Sequence, residues 1–145
     1  EFDLRQAERI LTEWDLGELS GRAFGTLSDG ERNRAMIARA VMTDPEMLLL
    51  DEPSASLDLG ARERLVQLLS GYAQSPDSPA MVVVPHHVGE IPPVFTHALL
   101  FRGGLVQGAG PRGETLTAEN LEATFDMGLE LTHTSGRYSA ISAAE

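Results

Sequence analysis

The segment from Met47 to Pro53 constrains the fold more than any other part of the chain. Four apolar residues precede Asp51 and Glu52, and Pro53 follows them directly. An uninterrupted apolar run of this kind is typical of a parallel-sheet strand that helices bury on both faces. Open sheets of this type bind ligands at the carboxyl ends of their strands, where these two carboxylates stand. Alone, the pattern also fits an ordinary turn, so the flanking sequence has to decide.

A second strand of the same kind lies further along the chain. Residues 80–84 are apolar and largely β-branched, and His86 follows shortly after them. Between the two strands, apolar residues at helical spacing predict a helix over residues 61–72. Strand, helix and strand in this order predict a right-handed βαβ unit with both polar ends on one edge of the sheet. Because side chains alternate along a strand, Asp51 and Glu52 are expected to point to opposite sides.

A helix start precedes the first strand. Ser28 and Glu31 fit a capping box, S-x-x-E, and the helix is expected to run to about Met42 before Pro45. A helix amino terminus with Ser28 and Gly30 in its first turn is also an anion site, because it offers free N–H groups and a favourable dipole. Both interpretations can hold together. The predicted inner face consists of Met36, Ile37, Ala40 and Val41.

The rest of the chain is predicted as one amino-terminal helix and a set of short antiparallel elements. Trp14, at the end of a helix over residues 3–14, is expected to pack in the core. Gly103 and Gly104 predict the turn of a hairpin. The further predicted elements are strands over residues 97–102, 105–108, 129–132 and 137–141 and a helix over residues 117–125.

Composition excludes several classes of protein. The 145-residue chain has a formal net charge of -11, which disfavours a nucleic-acid surface, and it contains no Cys for disulfides or thiolate metal sites. All 11 basic residues are Arg. Without Lys, the chain cannot contain the phosphate loop G-x-x-x-x-G-K-[ST].

Two further patterns carry little weight. Residues 108–113 match G-x-G-x-x-G, but the match follows a hairpin and contains a Pro, so we interpret it as accidental. A zinc site could be suggested by His86, His87, Glu90 and His97. However, two of the His residues are adjacent and the Pro pair at positions 92 and 93 interrupts any helix, so these side chains are not expected to share one face.

Taken in order, the motifs resemble the second half of an ABC-type ATPase nucleotide-binding domain. Leu27 to Glu31 resembles its signature sequence L-S-G-G-Q, and Met47 to Glu52 resembles the Walker B strand with the catalytic Glu. Residues 55–58 resemble the D-loop, and His86 resembles the switch histidine. The resemblance runs from about residue 4 to residue 110. It implies an α/β fold: a partial P-loop NTPase domain with parallel buried strands, flanking helices and carboxyl-terminal antiparallel hairpins.

The resemblance also implies an organisation and a set of departures. One truncated domain would comprise a helical signature region (1–45), a core with Walker B, D-loop and switch His (46–110) and an extension (111–145). Asp29, Glu31 and Pro85 stand where the family usually has Gly, Gln and Thr. The Walker A loop, the Q-loop Gln and the base-stacking aromatic have no counterpart in these residues. The chain alone is therefore expected to bind ATP weakly and not to hydrolyse it.

By this resemblance, Asp51 would hold Mg²⁺, Glu52 would polarise the attacking water and His86 would hold the γ-phosphate. The residues implied in nucleotide binding across a head-to-tail pair of subunits are Ser28, Asp29, Gly30, Glu31 and Asp58. The implied protein is the ATP-hydrolysing subunit of an ABC transporter, of importer type, which pairs with a second ATPase subunit. It would be cytoplasmic, docked on a membrane permease and without a nucleic-acid partner. Two alternatives stay open: a DNA-repair or chromosome-structural ATPase, and a non-catalytic pairing module.

Overall fold

The computed structural model describes residues 2–143, which divide after His86 into two compact units. The elements of the first unit are α1 (Phe2–Glu13), α2 (Asp29–Val41), β1 (Met47–Asp51), α3 (Leu59–Ala73) and β2 (Ala80–Val84). Those of the second are β3 (His97–Arg102), β4 (Leu105–Pro111), α4 (Arg112–Thr115), α5 (Ala118–Phe125), β5 (Leu129–Thr134) and β6 (Arg137–Ser142). These helices are all too short or too polar to span a membrane.

The sheet of the first unit is the predicted βαβ unit. β1 and β2 pair in parallel, with Met47 opposite Ala80 and Asp51 opposite Val84, and α3 connects them. The polar residues that follow the two strands therefore stand at the same edge. This register brings the carboxyl end of β1 next to His86.

One face of this sheet packs on the helices. Leu48 is buried, and Leu50 lies partly buried beside it, against a cluster formed by α1, α2 and α3. Met81 and Val83 contact the same cluster from β2. Its buried members also include Ile10, Trp14, Leu16, Ile37, Ala38, Val41, Leu57, Leu65 and Leu69. The prediction that Trp14 lies in the core is confirmed.

The opposite face of the sheet is exposed within the described residues, as expected if part of the family's helices and neighbouring strands lies outside them. We call this surface the open face. It consists of Met47, Leu49, Val82 and Val84, which are 61%, 64%, 43% and 45% exposed. The parallel register places Leu49 directly opposite Val82, so the four residues form one continuous apolar surface. The sequence shows which residues are apolar, but the helices of this unit cover only one face of the sheet.

We expect the open face to cause self-association of the isolated 145-residue chain, because exposed apolar strands with unpaired edges pair readily with another chain. Light scattering over a dilution series is expected to show a dimer or a larger species. Replacing Leu49 and Val82 with Thr keeps the β-propensity and should shift the distribution towards the monomer. A wild-type chain that stays monomeric at high concentration would contradict this prediction.

The helices begin and end close to the residues that local sequence signals predict, but one residue predicted on the inner face of α2 is exposed. α2 ends at Val41, close to the predicted Met42, and α3 begins two residues earlier than predicted. Met36 was assigned to the inner face of α2 but is 51% exposed, and Ala38 is buried instead. The two positions lie about 100° to either side of Ile37 around the helix, so a modest rotation of the assumed core direction exchanges them.

The second unit contains two antiparallel hairpins and two helices. Gly103 and Gly104 have φ of 58° and 79°, as a tight hairpin turn between β3 and β4 requires. β4 extends to Pro111, beyond the predicted end at Gly108, and α4 was not predicted. The G-x-G-x-x-G match over residues 108–113 therefore lies in an antiparallel strand and a short helix. Buried Leu116, Leu121, Leu129 and Tyr138 form the core. The predicted division of one truncated domain into a signature region (1–45), a core (46–110) and an extension (111–145) stays a prediction.

Candidate functional site

The residues after β1 form a turn with an unusual backbone. Glu52 has a φ of 47°, in the left-handed region that costs a residue with a side chain about 1–2 kcal/mol. Its N–H donates to the Val84 carbonyl oxygen at 2.9 Å, and its own carbonyl oxygen accepts from the Ala55 N–H at 3.2 Å. The turn begins directly at the end of the strand. The direction of the Glu52 side chain is therefore set by the turn, and strand alternation does not apply to it.

The turn places the Glu52 carboxylate against His86. Glu52 Oε2 and His86 Nε2 are 2.9 Å apart, and both side chains are about half exposed, at 50% and 52%. The carboxylate belongs to the end of β1 and the imidazole to the end of β2, as the βαβ interpretation requires. A carboxylate and an imidazole in contact, open to solvent, form a group that can orient a water molecule and accept its proton.

Asp51, the last residue of β1, has an exposed side chain at the same sheet edge. Mg²⁺ in phosphoryl-transfer sites is held by one or two carboxylates together with waters and phosphate oxygens. One exposed carboxylate at the carboxyl end of a parallel strand fits that donor set. Among the described side chains, those of residues 4–143, no three His, Cys, Asp or Glu groups gather into a metal site. Glu90 is buried, and its carboxylate accepts from the His87 N–H at 3.4 Å.

The capping box at the start of α2 is confirmed. Ser28 Oγ accepts from the Glu31 N–H at 3.3 Å, and Glu31 Oε2 accepts from the Ser28 N–H at 2.7 Å. These bonds to Ser28, and then the charges of Arg22 and Arg34, hold the pKa of Glu31 below its ordinary value. A lowered pKa means that the cap is intact at neutral pH and weakens as the pH falls through that pKa.

The first turn of α2 keeps donors for an anion. The N–H groups of Asp29 and Gly30 have no intrahelical acceptor, because the first four N–H groups of a helix lack one. The Asp29 carboxylate lies 3.5 Å from Arg32 Nη1, which offsets part of its charge. The carboxylates of Asp29 and Glu31, which replace the family's usual Gly and Gln, thus each have a partner close by: Arg32 for Asp29 and the Ser28 N–H for Glu31. Two N–H groups of the kind that an anion site uses are therefore present, and anion binding at this turn stays a prediction.

Gly30 also joins the first turns of α2 and α3. It is buried, and a Cβ at this position would lie 3.0 Å from the Cβ of Ala61. Asp58 caps α3, since its Oδ1 accepts from the Ala61 N–H at 2.8 Å. The first turn of α2 therefore packs on the first turn of α3, which is capped by Asp58 at the end of the D-loop-like turn. The roles assigned to Asp58 and the other site residues remain predictions.

We expect Gly30→Ala to destabilise the chain by about 1–3 kcal/mol, because the added methyl group forces two helices apart. Gly71→Ala is the matched control, since Gly71 also lies in a helix and has nothing within 4 Å of the added Cβ. That control is expected to stabilise by roughly 0.5–1 kcal/mol. Urea denaturation monitored by circular dichroism measures both. Equal stability of Gly30→Ala and wild type would contradict the close packing.

Sequence reasoning missed Asn33. Its side-chain Nδ2 donates to the Pro53 carbonyl oxygen at 2.7 Å and so connects α2 with the turn that follows β1. A polar residue in a helix between two Arg residues gives no local signal of such a contact. Only the position of α2 next to the turn reveals it.

Known proteins resemble this chain in sequence and in structure. The ABC transporter family model matches residues 3–55. The uncharacterised ABC transporter ATP-binding protein YlmA of Bacillus subtilis (strain 168) is 48% identical over 77% of this chain and 43% of its own length. The molybdenum import ATP-binding protein ModC of Hahella chejuensis is 37% identical over 83% of this chain and 34% of its own length. The chain thus spans less than half the length of these two relatives.

A solved structure of a metal-chelate type ABC transporter in an inward-facing conformation superposes with a TM-score of 0.82 and 26% identity, over 97% of this chain and 57% of that one. The fold and the order of motifs are those of an ABC-type nucleotide-binding domain. The chain belongs to the family of ABC transporter ATP-binding proteins.

Proposed function

We propose that the intact protein containing this chain binds and hydrolyses ATP and couples hydrolysis to solute transport. The Glu52–His86 contact of 2.9 Å at the carboxyl edge of a parallel sheet carries the proposal. The names of the relatives support a transporter rather than a DNA-repair ATPase, and the acidic net charge of -11 agrees with that.

Each site residue then has a physical task. Glu52 would orient the attacking water and accept its proton, and His86, whose Nε2 contacts the Glu52 carboxylate, would hold the γ-phosphate and that water in line. Asp51 would hold Mg²⁺, which supplies charge neutralisation on the phosphates when bound. Phosphoryl transfer depends mainly on positioning and charge stabilisation, so a rigid turn at Glu52 is an advantage.

The first turn of α2 would bind the nucleotide of a second subunit. Ser28 and Gly30 offer a hydroxyl and an N–H group to a γ-phosphate, and Asp29, Glu31 and Asp58 line the contact between subunits. Two copies of the protein would therefore complete each other's sites in a head-to-tail homodimer. The Lys-containing phosphate loop would come from outside these residues, because the chain has no Lys.

The transported solute is proposed to be a metal chelate or an oxyanion. The relatives named for molybdenum import and for metal-chelate transport support this class of solute. The protein would dock on a membrane permease and so lie at the cytoplasmic face of the cell membrane.

The test is a Mg²⁺-dependent phosphate-release assay on the intact subunit, with the 145-residue chain measured beside it. The intact subunit is expected to release phosphate, and the chain alone is expected to release none and to bind Mg-ATP weakly in calorimetry. An intact subunit without ATPase activity, both alone and with its permease, would refute the proposed function. Micromolar ATP binding with turnover by the chain alone would refute the need for a phosphate loop from elsewhere.

A further inference from the structure

The side chain of Asn33 is tied to the turn that carries Glu52. Asn33 Nδ2 lies 2.7 Å from the Pro53 carbonyl oxygen in a partly buried contact between residues 20 positions apart. A carbonyl oxygen only accepts, so the amide must present its NH₂ group to it. The Oδ1 atom of Asn33 is buried and has no hydrogen-bond partner within residues 2–143. The amide is therefore oriented by its single contact with Pro53.

The turn at Glu52 needs support from outside itself. The φ of 47° at Glu52 is unfavourable, and such a conformation persists only where the surroundings hold it. The Val84 carbonyl oxygen fixes the Glu52 N–H from the β2 side at 2.9 Å. Pro53 has no N–H to add a further bond. Within the turn, the Ala55 N–H also donates to the Glu52 carbonyl oxygen at 3.2 Å. Asn33 adds a bond from α2, to the Pro53 carbonyl oxygen.

The same helix carries the proposed anion site. Ser28 and Gly30 lie in or beside the first turn of α2, and Asn33 lies one turn further along. Because a helix moves as a rigid element, a shift of its first turn also shifts the Asn33 amide. Gly30 packs against Ala61, so the first turn of α3 is part of the same rigid contact.

We propose that Asn33 is a positioning residue that holds Glu52 in contact with His86 and transmits displacements of α2 to them. The inference rests on the proposed function, since it assigns Asn33 a role in the reaction of Glu52. A phosphate bound at the first turn of α2 would thereby adjust the catalytic carboxylate of the same chain. In a head-to-tail pair, the bond from Asn33 to Pro53 would therefore couple the two composite sites, because the first turn of α2 belongs to one site and Glu52 to the other.

The experiment uses the intact subunit and variants of matched shape. Asn33→Leu removes the donor without adding charge, Asn33→Asp keeps the shape but only accepts, and Asn33→Gln keeps a donor. Asn120→Leu is the control, because Asn120 Nδ2 makes the same kind of bond to the Thr115 carbonyl oxygen at 2.9 Å, in the second unit. Steady-state kinetics with Mg-ATP give kcat and KM, and hydrogen exchange reports on the peptide covering residues 52–57.

Loss of the donor is expected to lower kcat about ten- to a hundredfold with KM within a factor of about three, because a shift of about 1 Å can cost a factor of 10² in rate. Exchange in residues 52–57 should accelerate in the Leu and Asp variants. Asn33→Gln should recover most of the activity. Asn120→Leu should lower the melting temperature about as much as Asn33→Leu does. It should nevertheless leave kcat at the wild-type value.

The possible failures are distinguishable. Unchanged kcat in both the Leu and the Asp variant, or an equal loss in Asn120→Leu, would overturn the positioning role while the ATPase function stands. A wild-type subunit no more active than its Glu52→Gln variant would overturn the proposed function, and the positioning role would fall with it. Unchanged exchange in residues 52–57 with reduced kcat would also overturn the role, because Asn33 would then act by another route.

Discussion

Replacing Glu52 with Gln in the intact protein is expected to lower ATP turnover by about 10²–10⁴-fold, the usual contribution of a positioned base. Gln keeps the length of the side chain and can still contact His86, which lies 2.9 Å from the Glu52 carboxylate. It cannot accept a proton from water. ATP binding should be retained, so the loss should appear in kcat and not in the affinity measured by equilibrium titration.

Glu46→Gln is the matched control for this prediction. Glu46 is exposed and directly precedes β1, so the same loss of charge occurs at the opposite end of the same strand. Turnover of this control should stay within a few-fold of wild type. Hydrolysis by Glu52→Gln within a few-fold of wild type would remove Glu52 from its assigned role.

Replacing Ser28 with Asp is expected to abolish ATP-dependent pairing of subunits and, with it, most of the hydrolysis. Asp is as good an N-cap as Ser, so α2 should keep its start. Its carboxylate would stand where the phosphate of the partner's nucleotide is proposed to bind. Ser28→Ala should act more weakly, since it removes one charge-assisted hydrogen bond worth roughly 1.5–3 kcal/mol. Size-exclusion chromatography with Mg-ATP measures pairing, in the Glu52→Gln background to prevent turnover.

Two measurements separate the anion site from the helix cap. Thr117 caps α5 with a bond of the same kind, from the Asn120 N–H at 3.2 Å. Thr117→Ala should therefore lose about 1 kcal/mol of stability without any loss of pairing. Nucleotide binding by monomeric Ser28→Asp should equal that of wild type. An equal loss of binding in the monomer would contradict a site that spans two subunits.

Local signals in the sequence were sufficient for most of the elements. The Ser28–Glu31 box starts α2, Thr117 starts α5, and the glycines at 103 and 104 make the turn between β3 and β4. Each of these depends on hydrogen bonds or backbone angles within a few residues, so one sequence shows them. The error concerns which surface of a helix is covered, since Met36 of α2 is exposed. Burial depends on neighbours that lie far away in the chain, and apolar periodicity does not identify them.

The sequence by itself determined the order of the motifs, the parallel pairing of β1 with β2 and the placement of Asp51, Glu52 and His86 at one sheet edge. Only the tertiary structure decided the left-handed turn at Glu52, its 2.9 Å contact with His86 and the bond from Asn33 to Pro53. Alternation and helical spacing are properties of neighbouring residues, whereas the Glu52–His86 and Asn33–Pro53 contacts join residues 20 or more positions apart. Such a contact forms only when the path of the whole unit brings its two partners to within 3 Å, and nothing in the local sequence encodes that distance.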